Sequence, residues 1–319
     1  MKTALLVAAL SLALVASAEA RAAGRTAAHA APKLPNLEGL WSVNSTTKLE
    51  RQSVYPSLVI TEAQEKAIRP PPVFADDDVG QEETEWQDEG WRLARVAGQI
   101  RTSWLVDPSD GKLPYTPAGL KLVSRPYTGD GPETRSTNDR CLPFTSAGPP
   151  LLNAGGSNIV EIVQSPGYVV ILIEGNHETR IIPVGAGPVA PVRGAPPIWL
   201  GHSTGWYEGD ALVVRTTGFH PQQSLRRNTF ARLYLSSDAI VTERFRRISD
   251  TQILYAFEVD DPAIFTRAWR GELPLNSSRG PIFESGCHEG NYSMTGILAG
   301  ARRAEHDASA AEAAKTAAR

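Results

Sequence analysis

From residue 159 onward, apolar and polar side chains alternate with a period of two, in runs of six to ten residues. Ser165-Pro166-Gly167, Glu208-Gly209-Asp210 and Ser249-Asp250-Thr251 interrupt the alternation, and each is turn chemistry. The pattern predicts strands over 159–164, 168–174, 179–184, 199–206, 211–217, 240–248, 253–259 and 265–273. Before residue 158 the pattern is broken. A first strand is expected over 37–43, a helix over 61–68 behind a capping Thr61, and a helix over 118–123 behind Thr116-Pro117. Residues 126–157 are rich in Pro, Gly, Ser and Thr, and form an ordered loop only if something fixes them.

No helices separate the predicted strands, which excludes a parallel sheet built of strand-helix-strand units. An antiparallel meander of this size must close or cover its edges. The expected fold is therefore mainly β. It is an antiparallel meander forming a lipocalin-like barrel or a strongly curved sheet, with a few short helices in the N-terminal part. Gly39-Leu40-Trp41 is also how lipocalins open, with the Trp plugging the core. Such a barrel can hold one small ligand.

The ends of the chain read differently. Residues 1–20 carry Lys2, an apolar stretch over 4–15 and Ala18-Glu19-Ala20, the pattern of a cleaved signal peptide too short to span a bilayer. Residues 21–33 read as a disordered leader, 34–303 as a single β-rich domain, and 304–319 as a flexible tail. Within the domain, 34–157 is the loop-rich part and 158–303 the meander. The expected location is periplasmic or secreted. In an oxidising compartment Cys141 and Cys287 are expected to form a disulfide, worth about 4–5 kcal/mol for so long a loop.

Of the 319 residues, 41% are hydrophobic and the net charge is −3, which argues against disorder and against nucleic acid as a partner. No phosphate loop, dinucleotide fingerprint or closely spaced histidine pair occurs, so neither a cofactor nor a metal is expected. The acidic run over 76–89 lacks the spacing of a calcium loop and reads as a solvated face.

The candidate chemistry clusters in three places. If Gly175-Asn176 is a two-residue turn, Glu174 and His177 are cross-strand neighbours, a carboxylate-imidazole pair suited to acid-base catalysis. Arg180 then lies on the opposite face beside Ile171; if the strand runs straight, Glu174 and Arg180 share a face instead. The second cluster is Cys287-His288-Glu289-Gly290-Asn291-Tyr292, where His288 and Glu289 are the catalytic candidates and Tyr292 can donate to an anion. In the third, Trp199, His202 and Trp206 can line a ligand mouth, although His202 and Ser203 point to opposite faces and cannot form a nucleophile pair. Arg180 or Arg244, with Arg140 as competitor, can pair with the carboxylate of an anionic substrate, and Arg244 can instead form an exterior salt bridge.

From about 101 to 303 the chain resembles a large, mostly uncharacterised family of secreted bacterial proteins. The matching stretches are VDPSDGKLPYTPAG (106–119), DRCLP (139–143), VQSPGYVVIL (163–172), HETRIIP (177–183), WLGHSTGWYEGDALVVRTTGF (199–219), ERFRR (243–247), DDPAIFTRAW (260–269) and CHEGNY (287–292). Where relatives carry Tyr-Asn-Asn this chain has LLNAGGSN (151–158), which makes Asn158 the nearest match for a binding residue. His202 stands where relatives have Asp, and Gly175-Asn176 where they have apolar residues. A fainter resemblance, to sphingomonad proteins that act on lignin-derived phenylcoumaran dimers as decarboxylases or formaldehyde-releasing lyases, implies a reaction class. The expected function is thus a cofactor-independent carbon-carbon lyase outside the cytoplasm, acting on a hydrophobic aromatic compound. The alternatives are a non-catalytic binding barrel of the periplasm and a structural envelope protein with a filled barrel.

Overall fold

The computed structural model describes residues 34–68, 92–124, 136–138, 140–144, 147–153, 156–188, 194–223, 226–227, 231–286 and 292–317, with side chains omitted at 227 and 292–294. Pro35–Arg319 forms one compact unit. In chain order its elements are β1 (Gly39–Ser42), β2 (Val59–Ile60), α1 (Glu62–Ala67), β3 (Arg95–Val96), β4 (Gln99–Arg101), β5 (Leu105–Asp107) and α2 (Pro117–Val123). Then follow β6 (Ile159–Ser165), β7 (Tyr168–Ile173), β8 (Glu178–Gly185), β9 (His202–Glu208), β10 (Ala211–Thr217), β11 (Arg226–Arg227) and β12 (Arg232–Leu233). The chain ends with β13 (Ile240–Ser249), β14 (Gln252–Asp260), β15 (Trp269–Ser277) and α3 (Tyr292–Ala317).

Nine strands close into a barrel in the order β1-β6-β7-β8-β9-β10-β13-β14-β15, with β15 returning to pair with β1. The short β1 is the closing strand: Trp41 pairs with Val160 on one side and with Ser277 on the other. Closure leaves no edge within the ring, and β5 adds to the wall beyond β15.

One pairing departs from the expected meander. β8 and β9 run parallel, with Val184 opposite Gly205 and Gly185 opposite Trp206, while the other pairs of the ring are antiparallel. A parallel pair needs a connection of a dozen residues or more, and 186–201 supplies it. Strand β9 also starts at His202 rather than at residue 199.

Period-two burial follows the sequence closely. Val169, Ile171 and Ile173 of β7, Val241 and Phe245 of β13, and Ile253, Tyr255, Phe257 and Val259 of β14 all have 3% exposure or less. They face Trp269, Leu273 and Leu275 of β15 in one core. Phe257 and Trp269 meet edge to face at 5.6 Å between ring centroids, a favoured aromatic geometry. The two short helices begin as expected: Thr61 and Gln64 form a capping box, and Thr116 accepts from the Gly119 amide with Pro117 at the first turn. The small sheet β2-β4-β3 carries its own cluster of Tyr55, Ile60, Leu93 and Ile100.

Segment 147–153 is buried throughout, with Leu151 and Leu152 each 1% exposed. Its backbone polar groups therefore need partners. The Leu151 amide donates to the Tyr255 hydroxyl at 2.9 Å. Asn153 accepts from Trp104 Nε1 at 2.9 Å and donates to the carbonyls of Ser45 and Thr47. These bonds are what fixes a stretch whose composition reads as loop.

Helix α3 is long and almost wholly exposed, consistent with high helix propensity and no apolar stripe. Among the described residues no helix is long and apolar enough to cross a membrane.

Candidate functional site

The Glu174–His177 turn is built differently from the expected acid-base pair. Ile173 pairs with Glu178, so four residues separate β7 from β8, and 175–177 form a 3-10 turn with Asn176 and His177 at positive φ. A two-residue hairpin would have set Glu174 opposite His177. The longer turn instead folds the Glu174 side chain inward and leaves His177 exposed. Glu174 is 4% exposed, and its two oxygens accept from the amides of Ile159 (3.2 Å) and Phe283 (3.0 Å). Asn176 donates to the Leu142 carbonyl at 3.0 Å, and Gly175 lies against the Phe144 ring. The polar Glu-Gly-Asn run is thus a clasp for two passing segments. The straight-strand alternative fails as well, because Glu174 lies outside both strands.

The other predicted residues scatter. Arg244 is on the outer wall, half exposed, bonded to Glu208 at 2.6 Å. Trp206 lies outward beside it and donates to the same Glu208 at 2.7 Å. His202 shares that outward parity, with Nε2 2.8 Å from the Pro196 carbonyl, while the adjacent Ser203 points into the barrel. Trp199 lies outside β9 and stacks on His220 at 4.1 Å, with the Arg140 guanidinium 5.4 Å from its ring. A single mouth formed by Trp199, His202 and Trp206 is therefore not assembled, since two of them sit on the outer face of a strand. Asn158 is 7% exposed and its carbonyl accepts from the Val43 amide. Cys287, His288 and Glu289 lie outside the described residues, as does the side chain of Tyr292. Cys141 is described, and no free cysteine occurs among the described residues.

One predicted residue, Arg180, leads to a centre inside the barrel. It pairs with Ile171 across β7 and β8, as expected, and both side chains face inward. Both of its terminal nitrogens reach Glu243, with Nη1 2.9 Å from Oε1. Nη2 also reaches the hydroxyls of Ser203 (3.1 Å) and Thr216 (3.3 Å). Glu243 has no accessible surface and takes a further bond from the Tyr255 hydroxyl at 2.8 Å. Strands β8, β9, β10, β13 and β14 thus each contribute one polar side chain, held by the walls of the ring rather than by loops.

Arg226 joins them from β11. It is 5% exposed and donates to the Pro149 carbonyl at 2.9 Å. Burial and the repulsion of Arg180 push its guanidinium down to about 10. Burial alone would lower Arg180 too, but the charge and hydrogen bonds of Glu243 outweigh it and hold Arg180 above its ordinary value. Burial, reinforced by Glu243, raises the Tyr255 phenol well above the usual range. At neutral pH Arg180 and Arg226 are therefore cationic and the Tyr255 phenol is neutral. The centre can orient an anion or a polar head group.

Sequence reasoning missed Glu243, Tyr255 and Arg226 as members. For the first two the signal was present: Glu243 sits between Val241 and Phe245, and Tyr255 between Ile253 and Phe257, on inward-facing parities. Arg226 lies in a two-residue strand that no periodicity marks. A hollow of about 300 Å3 near α1, lined by Tyr55, Lys66, Ile68 and Arg92 among others, is separate from this centre; its Glu62 and Glu65 are both bonded to Arg95.

Comparison of the chain with protein families, curated proteins and solved structures found no match.

Proposed function

We propose that this protein is a small-molecule-binding barrel that works outside the cytoplasm and holds a hydrophobic aromatic ligand by its inner wall. The observation that carries this reading is the closed nine-stranded ring with aromatic side chains and a hydrogen-bonded polar centre inside it. Barrels of about this strand number are wide enough for one small ligand, and a few polar groups amid apolar walls are what fix its orientation. Binding is favoured over lyase chemistry because Glu174 is committed to two backbone amides and His177 is exposed. The other catalytic candidates for a lyase, His288 and Glu289, lie outside the described residues.

Export belongs to the same proposal, on the signal pattern of residues 1–20. So does a Cys141–Cys287 bridge. It is supported by the clasp at 174–176, which holds Leu142, next to Cys141, and Phe283, close in sequence to Cys287. Membership of the secreted bacterial family rests on the sequence motifs alone.

Titration of the mature protein with a phenylcoumaran dimer, followed by tryptophan emission and product analysis, tests the reading. Saturable quenching with the dimer recovered intact is expected. Catalytic release of formaldehyde or carbon dioxide would restore the lyase, and failure of dimers and simple aromatics alike to bind would contradict a ligand barrel.

A further inference from the structure

Inside the barrel Arg180 and Glu243 are bonded to each other, and a second buried guanidinium, Arg226, is bonded to neither. Arg180 commits both terminal nitrogens to Glu243, and its buried Nε has no hydrogen-bond partner. Arg226 is equally buried, bonds to the Pro149 carbonyl, and enters no salt bridge among the described residues. Among the described residues, Arg180 repels it and Glu243, which attracts it, is already bonded to Arg180 and Tyr255. A cation removed from water without a counter-ion is a heavy burden on a fold, and a group so placed marks a functional site more often than a surface ion pair does. The burden is lifted when a ligand brings the missing negative charge.

The geometry points to Arg226, with Arg180 beside it, as the receptor for the carboxylate of the ligand. This rests on the small-molecule reading above and narrows it from aromatic compounds in general to aromatic monocarboxylic acids. A guanidinium is a planar fork of donors that matches the two oxygens of a carboxylate. Among the described residues the charge count asks for one negative charge: Arg180 and Arg226 less Glu243 leave a single positive charge, so a dianion overshoots.

The test uses the mature full chain with benzoate, benzamide, chloride and phosphate as probes, read by calorimetric titration and thermal unfolding. Benzoate is expected to bind at least ten-fold more tightly than benzamide, which has the same shape without the charge. Arg226→Met should abolish that preference while melting no lower than the parent in ligand-free buffer. If the Met variant fails to fold, Arg226→Lys takes its place, with the preference reduced because the fork is lost. Benzamide binding as well as benzoate would overturn the carboxylate assignment and leave the barrel reading standing. Absence of binding by either would defeat both. A preference that persists in the Arg226 variants, or stabilisation by chloride or phosphate equal to that by benzoate, would also defeat the assignment.

Discussion

Glu243 sits at the centre of the barrel without accessible surface and accepts three hydrogen bonds, two from Arg180 and one from Tyr255. Removing one member of such a pair leaves an uncompensated buried charge, at a cost of about 3–5 kcal/mol, whereas replacing both by apolar groups is often neutral. Glu243→Gln and Arg180→Met are each expected to lose about that much stability. The double variant Arg180→Met/Glu243→Leu should recover most of it, as read by urea unfolding; equal losses in singles and double would mean that the ion pair is not the unit. The same reasoning explains why Arg226→Met is expected to fold well. Lowered by burial to about 10 in the folded state, the Arg226 guanidinium penalises the fold in full below pH 10, and only above it does stability rise as the folded state loses its proton first. At this scale the sequence was half legible. Strand parity placed Arg180 beside Ile171 correctly, and the same parity turned Glu243 inward. What no parity reveals is which inward polar groups meet, because that depends on strand order around the ring.

The elements were easier to read than their connections. Regular alternation marked β6, β7, β13 and β14 to within a residue or two, because each has one face in the core and one facing out, and the Glu208-Gly209-Asp210 turn marked the start of β10, which is buried on both faces. The β8–β9 pair was misjudged because a hairpin and a long parallel connection can join identical strands. The 174–177 turn was misjudged because Gly-Asn is a strong two-residue hairpin signal, and here the same dipeptide serves tertiary contacts. Gly175 is glycine because a Cβ would run into the Phe144 ring, and Asn176 adopts the left-handed conformation, φ 54, while holding Leu142. Gly175→Ala is therefore expected to destabilise the protein by about 1–3 kcal/mol and to increase proteolytic cleavage within 138–144. His177→Ala, at the exposed end of the same turn, should change stability by less than about 0.5 kcal/mol. Equal effects of the two substitutions would contradict the clasp.

On the scale of the whole molecule, ring closure makes the internal centre possible. A polar cluster fed by five different strands keeps its geometry only if those strands cannot slide, and a barrel with no free edge within its ring meets that need. Segment 147–153 completes the arrangement by bringing the Leu151 amide to Tyr255 and the Pro149 carbonyl to Arg226. Mainly-β architecture and closure were legible in the alternation and the absence of intervening helices. The internal position of the centre was not, because side chains that look like turn chemistry in sequence attracted the assignment. The decisive measurement is a map of amide chemical shifts in the isotopically labelled mature protein as an aromatic acid is added. Binding should move signals of β8, β13, β14 and 147–153 while leaving His177 and its neighbours in place; shifts confined to 174–177 or to the outer face of β9 would contradict an internal site.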